Sequence, residues 1–369
     1  MSNKARLCPK CQEKTIYFDG ICYSCKQRQS REYFLNLSQN EVDDMIADIA
    51  SKIGEMEKFE EVYKNFWGLF ATGRISDDKI AKAAIKERIY YPSEIYFNAK
   101  SEIRDELLAH LNKLEGDNKN IANHILCALA MQGDEITLKA FYELEKNPKT
   151  WRKKLYADPS LYAKIGGWSF DENAVRKSLV FDKCLALEIS KDGQDGLQIF
   201  AKPKEEQICE FCGCEIIDLV HIKASEEKFK FLNLTQDLRL RCCPNCAYYN
   251  INYYCKNHAD GSVSFKNLES PNFEIYNYMQ DVDFNKLRKM KFKIKEVARF
   301  YASFDELDIT IGGYPSWVQD SEYLKCHECG EIMKHLMQIP IGEFIDGEGS
   351  LYVQICQNCQ ILSSCYQCT

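Results

Sequence analysis

The chain has 369 residues, 45% of them hydrophobic, and a formal charge of −7 at neutral pH. That length predicts two or three domains, and an ordinary composition without low-complexity tracts excludes a fibrous or disordered chain. The acidic balance argues against nucleic acid as the main partner, because non-specific phosphate binding needs a basic surface.

Cysteine organises the chain from its first residues onward. Fourteen of the nineteen cysteines fall into seven Cys-x-x-Cys pairs. Cys8/Cys11 and Cys22/Cys25 open the chain, Cys209/Cys212 and Cys243/Cys246 lie mid-chain, Cys326/Cys329 and Cys356/Cys359 lie near the end, and Cys365/Cys368 closes it. Two such knuckles supply the four thiolates of a structural zinc, so the spacing predicts three structural zinc sites. A four-thiolate shell has no open position for water or substrate, which makes these metals scaffold rather than catalyst. Each filled site adds about −2, taking the chain to roughly −13. Disulfides fit the pattern badly. The start, Met1-Ser2-Asn3-Lys4-Ala5-Arg6, has no signal segment. No apolar run reaches the ~20 residues that span a bilayer. The expectation is a cytoplasmic protein with no membrane contact and metal-bound cysteines.

Residues 1–30 read as a zinc ribbon of C-x2-C-x10-C-x2-C form, two knuckles joined by a short hairpin with a turn at Asp19-Gly20. So small a segment takes its folding energy from the metal. The basic residues after it, Lys26, Arg28 and Arg31, are a solvated linker or an anionic contact.

Residues 38–184 read as a helical bundle or HEAT-like stack. Ser38 and Glu41 form a capping-box signature, followed by Val42, Met45, Ile46, Ile49 and Ile53 at helical spacing. The acids Asp43, Asp44 and Asp48 mark the outer face, which a basic partner would also fit. Ile121, Ile125, Leu126 and Leu129 line one later helix, and Gly133-Asp134 breaks it. Ile136, Ala140, Phe141 and Leu144 line the next, which Pro148 ends. His124 and Cys127 share a face at i, i+3 and are expected in the core rather than on a metal.

Residues 185–369 read as a β-rich domain holding two knuckle pairs, so the whole is an α+β multidomain chain. The alternating run from Phe229 to Leu234 reads as a strand between Cys212 and Cys243. Cys255 and His258 offer an alternative ligand pair, but four thiolates at the usual spacing are preferred. Tyr248, Tyr249, Tyr253 and Tyr254 read as cross-strand packing before base stacking. In Met290-Lys-Phe-Lys-Ile-Lys, alternation sets Met290, Phe292 and Ile294 inward and Lys291, Lys293 and Lys295 outward. The row is either a lysine-protected edge strand or an electropositive patch.

Near the C-terminus stand Ile311-Gly312-Gly313-Tyr314-Pro315-Ser316-Trp317-Val318-Gln319, then Cys326-His-Glu-Cys329-Gly330, Met333, Leu336, Gln338, Gly349, Leu351-Tyr352-Val353 and Cys356-Gln-Asn-Cys359. This series resembles the C-terminal module of the YwqG-like family of bacterial proteins. It is also similar to the zinc-binding C-terminal region of eukaryotic programmed-cell-death and ribosome-assembly chaperones. The resemblance covers about sixty residues firmly and 185–369 loosely, and Cys365 and Cys368 depart from it. It implies a zinc-stabilised β-rich binding module, with a chaperone role from the eukaryotic side. The bacterial side implies an immunity role against a toxin encoded nearby. From the residues themselves, Tyr314, Trp317 and Gln319 follow a Gly-Gly turn fixed by Pro315. Trp317 is then either a binding anchor or packing over the zinc knuckle.

The expected function is binding of a protein partner, a toxin encoded nearby, by a protein that is not an enzyme. No metalloprotease, phosphate-loop or nucleophile-elbow motif is present. The alternative is nucleic-acid association through the ribbon and Lys291, Lys293 and Lys295.

Overall fold

The computed structural model describes residues 5–368 apart from 13, 57, 116–118, 150, 152–154, 156, 157, 195, 269, 305–307, 345 and 346. Two short antiparallel strands, β1 (Arg6–Leu7) and β2 (Thr15–Ile16), open the chain. Helix α1 (Tyr23–Asn36) begins at Cys22, its N-cap. The second cysteine pair therefore sits on a helix start and not on a second hairpin knuckle. The same helix runs straight through the boundary expected at residue 30.

The helical part follows the sequence pattern closely. In α2 (Gln39–Ser51) the Ser38–Glu41 capping box is complete, and Val42, Ile46 and Ile49 are buried. It packs with α3 (Glu60–Ala71), α4 (Lys79–Lys86), α5 (Ser101–Asn112), α6 (Lys119–Gln132) and α7 (Glu135–Lys146) around one apolar core. Gly133, at φ +60°, turns the chain out of α6, and Asp134 caps α7 by accepting from the N–H groups of Ile136 and Thr137. Ile121 and Ile136, expected in the core, are instead exposed by 43% and 47%. His124 is exposed too, with its ring against Tyr91. Each lies at the edge of an apolar stripe, where spacing alone does not say which side is covered. The one-turn helix α8 (Pro159–Tyr162) and the hairpin of β3 (Trp168–Phe170) and β4 (Arg176–Ser178) close this part, and Trp168 donates to the Ala130 carbonyl at 2.8 Å.

The two larger sheets begin at 181, slightly ahead of the expected boundary. Their strands are β5 (Phe181–Gln194), β6 (Leu197–Ala201), β7 (Ile217–Ile222), β8 (Leu238–Cys242), β9 (Tyr253–Asn257) and β10 (Val263–Asn267). After these come β11 (Phe292–Val297), β12 (Ile309–Gly313), β13 (Lys334–Pro340), β14 (Ser350–Cys356) and β15 (Ile361–Gln367). The short helices α9 (Pro244–Tyr248) and α10 (Phe284–Leu287) interrupt them. An antiparallel eight-stranded sheet has the order β10-β9-β15-β14-β13-β12-β5-β11, and β6-β7-β8 form a second sheet. One core is shared by the two sheets. The run at Phe229 is a 3-10 turn, Glu227–Leu232, and not a strand. Phe229 and Leu232 face the core at i, i+3, the spacing of one 3-10 turn, whereas a strand would set them on opposite faces. The lysine row does lie on an edge strand, with Phe292 buried and Lys291, Lys293 and Lys295 exposed.

The other face of the large sheet is polar, carrying Thr310, His335, Gln338, Gln354, Ser363 and Gln367, all buried. Residues 316–324 cross it as a strap held by glutamine side chains. Gln338 accepts from the Ser316 N–H at 2.8 Å and Gln354 from that of Leu324 at 2.8 Å. Gln367 accepts from the Gln319 N–H at 3.0 Å and donates to the Asp320 carbonyl at 2.9 Å. The Tyr352 hydroxyl joins them, accepting from Val318 and donating to Ser316. These bonds satisfy strap backbone that has no strand partner. The helical part is fastened to the sheet at Arg31, which forks onto Asp308 and also donates to Tyr301 at 2.9 Å. A second joint sets Phe300, stacked on Tyr314 with centroids 4.0 Å apart, against Phe70 and Phe97 of the helical part.

Candidate metal centres and an aromatic cleft

Each cluster starts from a tight turn. The N–H of Gln12 donates to Cys8 O, that of Gly213 to Cys209 O and that of Gly330 to Cys326 O, at 2.9, 2.9 and 2.8 Å. All three donors sit at positive φ, 58°, 71° and 73°, which glycine adopts freely and Gln12 adopts without that freedom. The mates differ. Cys22 and Cys243 cap helices α1 and α9, whereas Cys356 and Cys359 span the turn between β14 and β15.

The fold brings together Cys8, Cys11, Cys22 and Cys25; Cys209, Cys212, Cys243 and Cys246; and Cys326, Cys329, Cys356 and Cys359, with the sulfurs of each group within 4.8 Å of one another. Separations are 3.8 Å for Cys11–Cys22, 3.5 Å for Cys209–Cys246, 3.4 Å for Cys212–Cys243 and 3.6 Å for Cys329–Cys356. A tetrahedron with metal–sulfur bonds of about 2.3 Å has edges of about 3.8 Å, whereas a disulfide needs about 2.05 Å. None of the nineteen cysteines is disulfide-bonded. The donors fit a thiolate-preferring metal at all three places.

Electrostatics within the clusters favour ionised sulfur at one member of each. Burial opposes ionisation of Cys8, but the N–H groups of Cys22, Cys11 and Lys10 outweigh it and bring its thiol down to about 6. Cys209 is lowered by the thiols of Cys243 and Cys246, and Cys329 by the Glu331 N–H. A bound cation ionises the remaining thiols. Four cysteines outside the clusters behave oppositely. Burial pushes Cys184 and Cys127 up to about 12 and raises Cys255 and Cys365 as well. Cys255 donates to the Arg241 carbonyl at 2.8 Å, and His258 bonds Ser264, so the alternative ligand pair is not assembled. Cys365 sits in β15 beside Gln354, and Cys368 follows the strand, both outside the clusters. His327 lies over Tyr254 as a spacer. Tyr248 and Tyr249 pack too, on Tyr366 and on Phe273 and Tyr278, but from the end of α9 and not across strands as expected.

The strap places Tyr314, Trp317 and Gln319 along a cleft of about 730 Å³ between the helices and the sheet. Trp317 lies on Tyr352 at 4.3 Å and meets Tyr323 edge-on, so it packs over the sheet and not over a cysteine knuckle. Tyr254 and Leu324 do the latter. Tyr314 donates to Gly166 O, and the Gln319 amide donates to Cys368 O. Across the cleft stand Tyr63, Trp67 and Phe304, with the carboxylates of Glu60, Glu94 and Asp320 against Lys64. The Trp67 indole N–H is buried without a partner. Burial pushes the Glu94 carboxyl up, so an incoming cation would favour its charged form. Sequence reading missed this helical wall, because nothing in the spacing of Tyr63 and Trp67 says which strand segment they meet.

The lysine row divides. Lys295 lines a separate groove of about 760 Å³ together with Lys14, Arg28, Arg31 and Lys286 and the carboxylates of Glu32, Glu188 and Asp308, while Lys291 and Lys293 lie outside it. Among the described residues no helix is long and apolar enough to cross a membrane.

No family model matches the chain, and no solved structure matches it. It is similar to a protein of Salmonella typhimurium described as uncharacterized protein YpfL, at 28% identity over 355 residues, covering 92% of this chain and 80% of the relative.

Proposed function

We propose that this is a cytoplasmic, zinc-scaffolded protein-binding protein that holds a basic partner in the aromatic cleft, and that the partner is a toxin encoded beside it. The observation that carries the reading is the cleft itself. Aromatic walls with an excess of carboxylates suit lysine and arginine side chains, through ring faces and charge together. The strap supplying one wall is the segment that resembles the YwqG-like module, and the immunity role rests on that resemblance. A chaperone holding a basic ribosomal protein would use the same chemistry. Zinc is the metal that best suits four thiolates in a closed tetrahedron, and its role is to fix the N-terminal ribbon and the sheet. The helices then act as a HEAT-like stack forming the second wall. With every metal position taken by sulfur, the reading is of a binder and not an enzyme.

Capture of the tagged protein from its host, followed by mass spectrometry, tests this. The expected result is one stoichiometric basic protein, lost in the charge-reversed variant Glu60→Lys/Asp320→Lys, with co-expression protecting cells from that protein. Both substitutions are on exposed side chains, so the fold is retained. Absence of protection would sink the immunity role. The groove that gathers Arg28, Lys286 and Lys295 favours a second reading, nucleic-acid association. Capture of RNA or DNA with many proteins, lost on nuclease treatment and steeply salt-dependent, would move the function there.

A further inference from the structure

A second cavity, far in sequence from the strap, lies within the helical part. It has a volume of about 590 Å³, inside the range of small-molecule sites. Ile53, Met56 and Ile125, all buried, form its floor, and Ile89 and Leu114 extend it. Tyr90 and Tyr91 supply flat walls, each edge-on to a histidine, His110 and His124 respectively. The Tyr90 hydroxyl and His110 Nδ1 are 2.9 Å apart, which fixes the orientation of both rings. The rim is cationic. Among the described residues Lys58, Arg88 and Lys113 line it against the carboxylate of Glu55. That field is felt inside, where burial first, and then Arg88, lower the pKa of His110.

Apolar floor, aromatic sides and a cationic mouth are complementary to one ligand type. We propose that this cavity binds a small organic anion, a carboxylate, sulfonate or phosphate monoester on a flat apolar body. The body lies between Tyr90 and Tyr91 over Ile125, and the charged group sits among Lys58, Arg88 and Lys113. The half-exposed Ile121 and Tyr91, otherwise unexplained apolar surface, form the lip such a body would cover. The site is independent of the aromatic cleft, whose charge has the opposite sign.

The test uses two dyes of the same shape on the full-length, metal-loaded protein. 8-Anilinonaphthalene-1-sulfonate carries the anion, and N-phenyl-1-naphthylamine lacks it. Fluorescence titration is expected to give one saturable site that prefers the sulfonate by about tenfold, since three ion contacts at an exposed rim are each worth roughly twofold. Lys58→Ala/Lys113→Ala, two exposed positions, should cut that preference to about twofold, the share left to Arg88, and leave the neutral dye unchanged. Ile121→Trp at the lip should block both dyes. Equal binding of the two dyes, a preference still near tenfold in the double variant, or binding untouched by Ile121→Trp would each overturn the proposal.

Discussion

Around the N-terminal cluster the buried core among the described residues is Cys8, Ile16, Cys22 and Cys25, with Cys11 and Ile21 half-covered. Cys209, Cys243 and Cys246 instead sit inside the large core shared by the two sheets, alongside Ile217, Leu240 and Tyr253. The same four-sulfur chemistry thus serves two ends. In the first region the metal substitutes for a core that a segment this short cannot build. In the second it ties Cys209 and Cys212, ahead of β7, to α9, across apolar packing that exists around it.

The comparison is broken most directly at Cys243. Metal ligation in small structural sites is worth about 10–16 kcal/mol, against about 5–15 kcal/mol for a whole domain. Cys243→Ser, which also leaves a hydroxyl in apolar surroundings, is expected to prevent the sheet part from folding. A cooperative near-wild-type melt with intact near-ultraviolet dichroism would show that the apolar core suffices without this metal. Next in size is the joint between the regions. Arg31→Met removes both the largely buried fork onto Asp308 and the bond to Tyr301, and should lower stability by about 3 kcal/mol in denaturant unfolding. No change would mean that the remaining contacts, Phe300 against Phe70 and Phe97 among them, hold the helices to the sheet without Arg31.

A third effect belongs to the sheet and should be absent from the N-terminal region. His335 is fully buried, neither ring nitrogen has a hydrogen-bond partner, and burial pulls its pKa from 6.5 to about 3. The unfolded chain takes up this proton near 6.5 and the folded chain only near 3. Stability is therefore full above pH 6.5 and falls as the pH drops, by about 2 kcal/mol at pH 5. In His335→Leu the slope between pH 6.5 and 4 should flatten, and an unchanged slope would remove His335 as its source. The smallest global effect is expected at Cys8→Ser. Hydrogen exchange should speed up over residues 5–25, while the main unfolding transition moves by less than about 1 kcal/mol. A large shift of that transition would show that the N-terminal metal supports the rest of the molecule.

The metal ligands were legible in the sequence because Cys-x-x-Cys states a local geometry, and pairing neighbouring knuckles along the chain gave the three groups that the fold assembles. The capping box at Ser38 and the Gly133-Asp134 break were legible for the same reason, since each is complete within four residues. Periodicity failed where its answer depends on what packs outside the element. His124, Ile121 and Ile136 lie on stripe edges left uncovered, and the Phe229 run fits a 3-10 turn as well as a strand. The strap was invisible as a unit. Its signals, Gln338, Gln354 and Gln367 at inward positions of otherwise apolar strands, are buried amides that call for partners, but only the fold shows that those partners are the backbone of 316–324. The cleft needed both halves of the molecule and had no local signature.

The occupancy of the three four-sulfur groups decides most of the behaviour predicted above. Native mass spectrometry of the intact chain, paired with elemental analysis, measures this in one preparation. It is expected to find three zinc ions per chain, falling to two in Cys8→Ser with the sheet still folded. Fewer than three ions in the folded wild type, iron in place of zinc, or disulfides among the twelve ligand cysteines would contradict it.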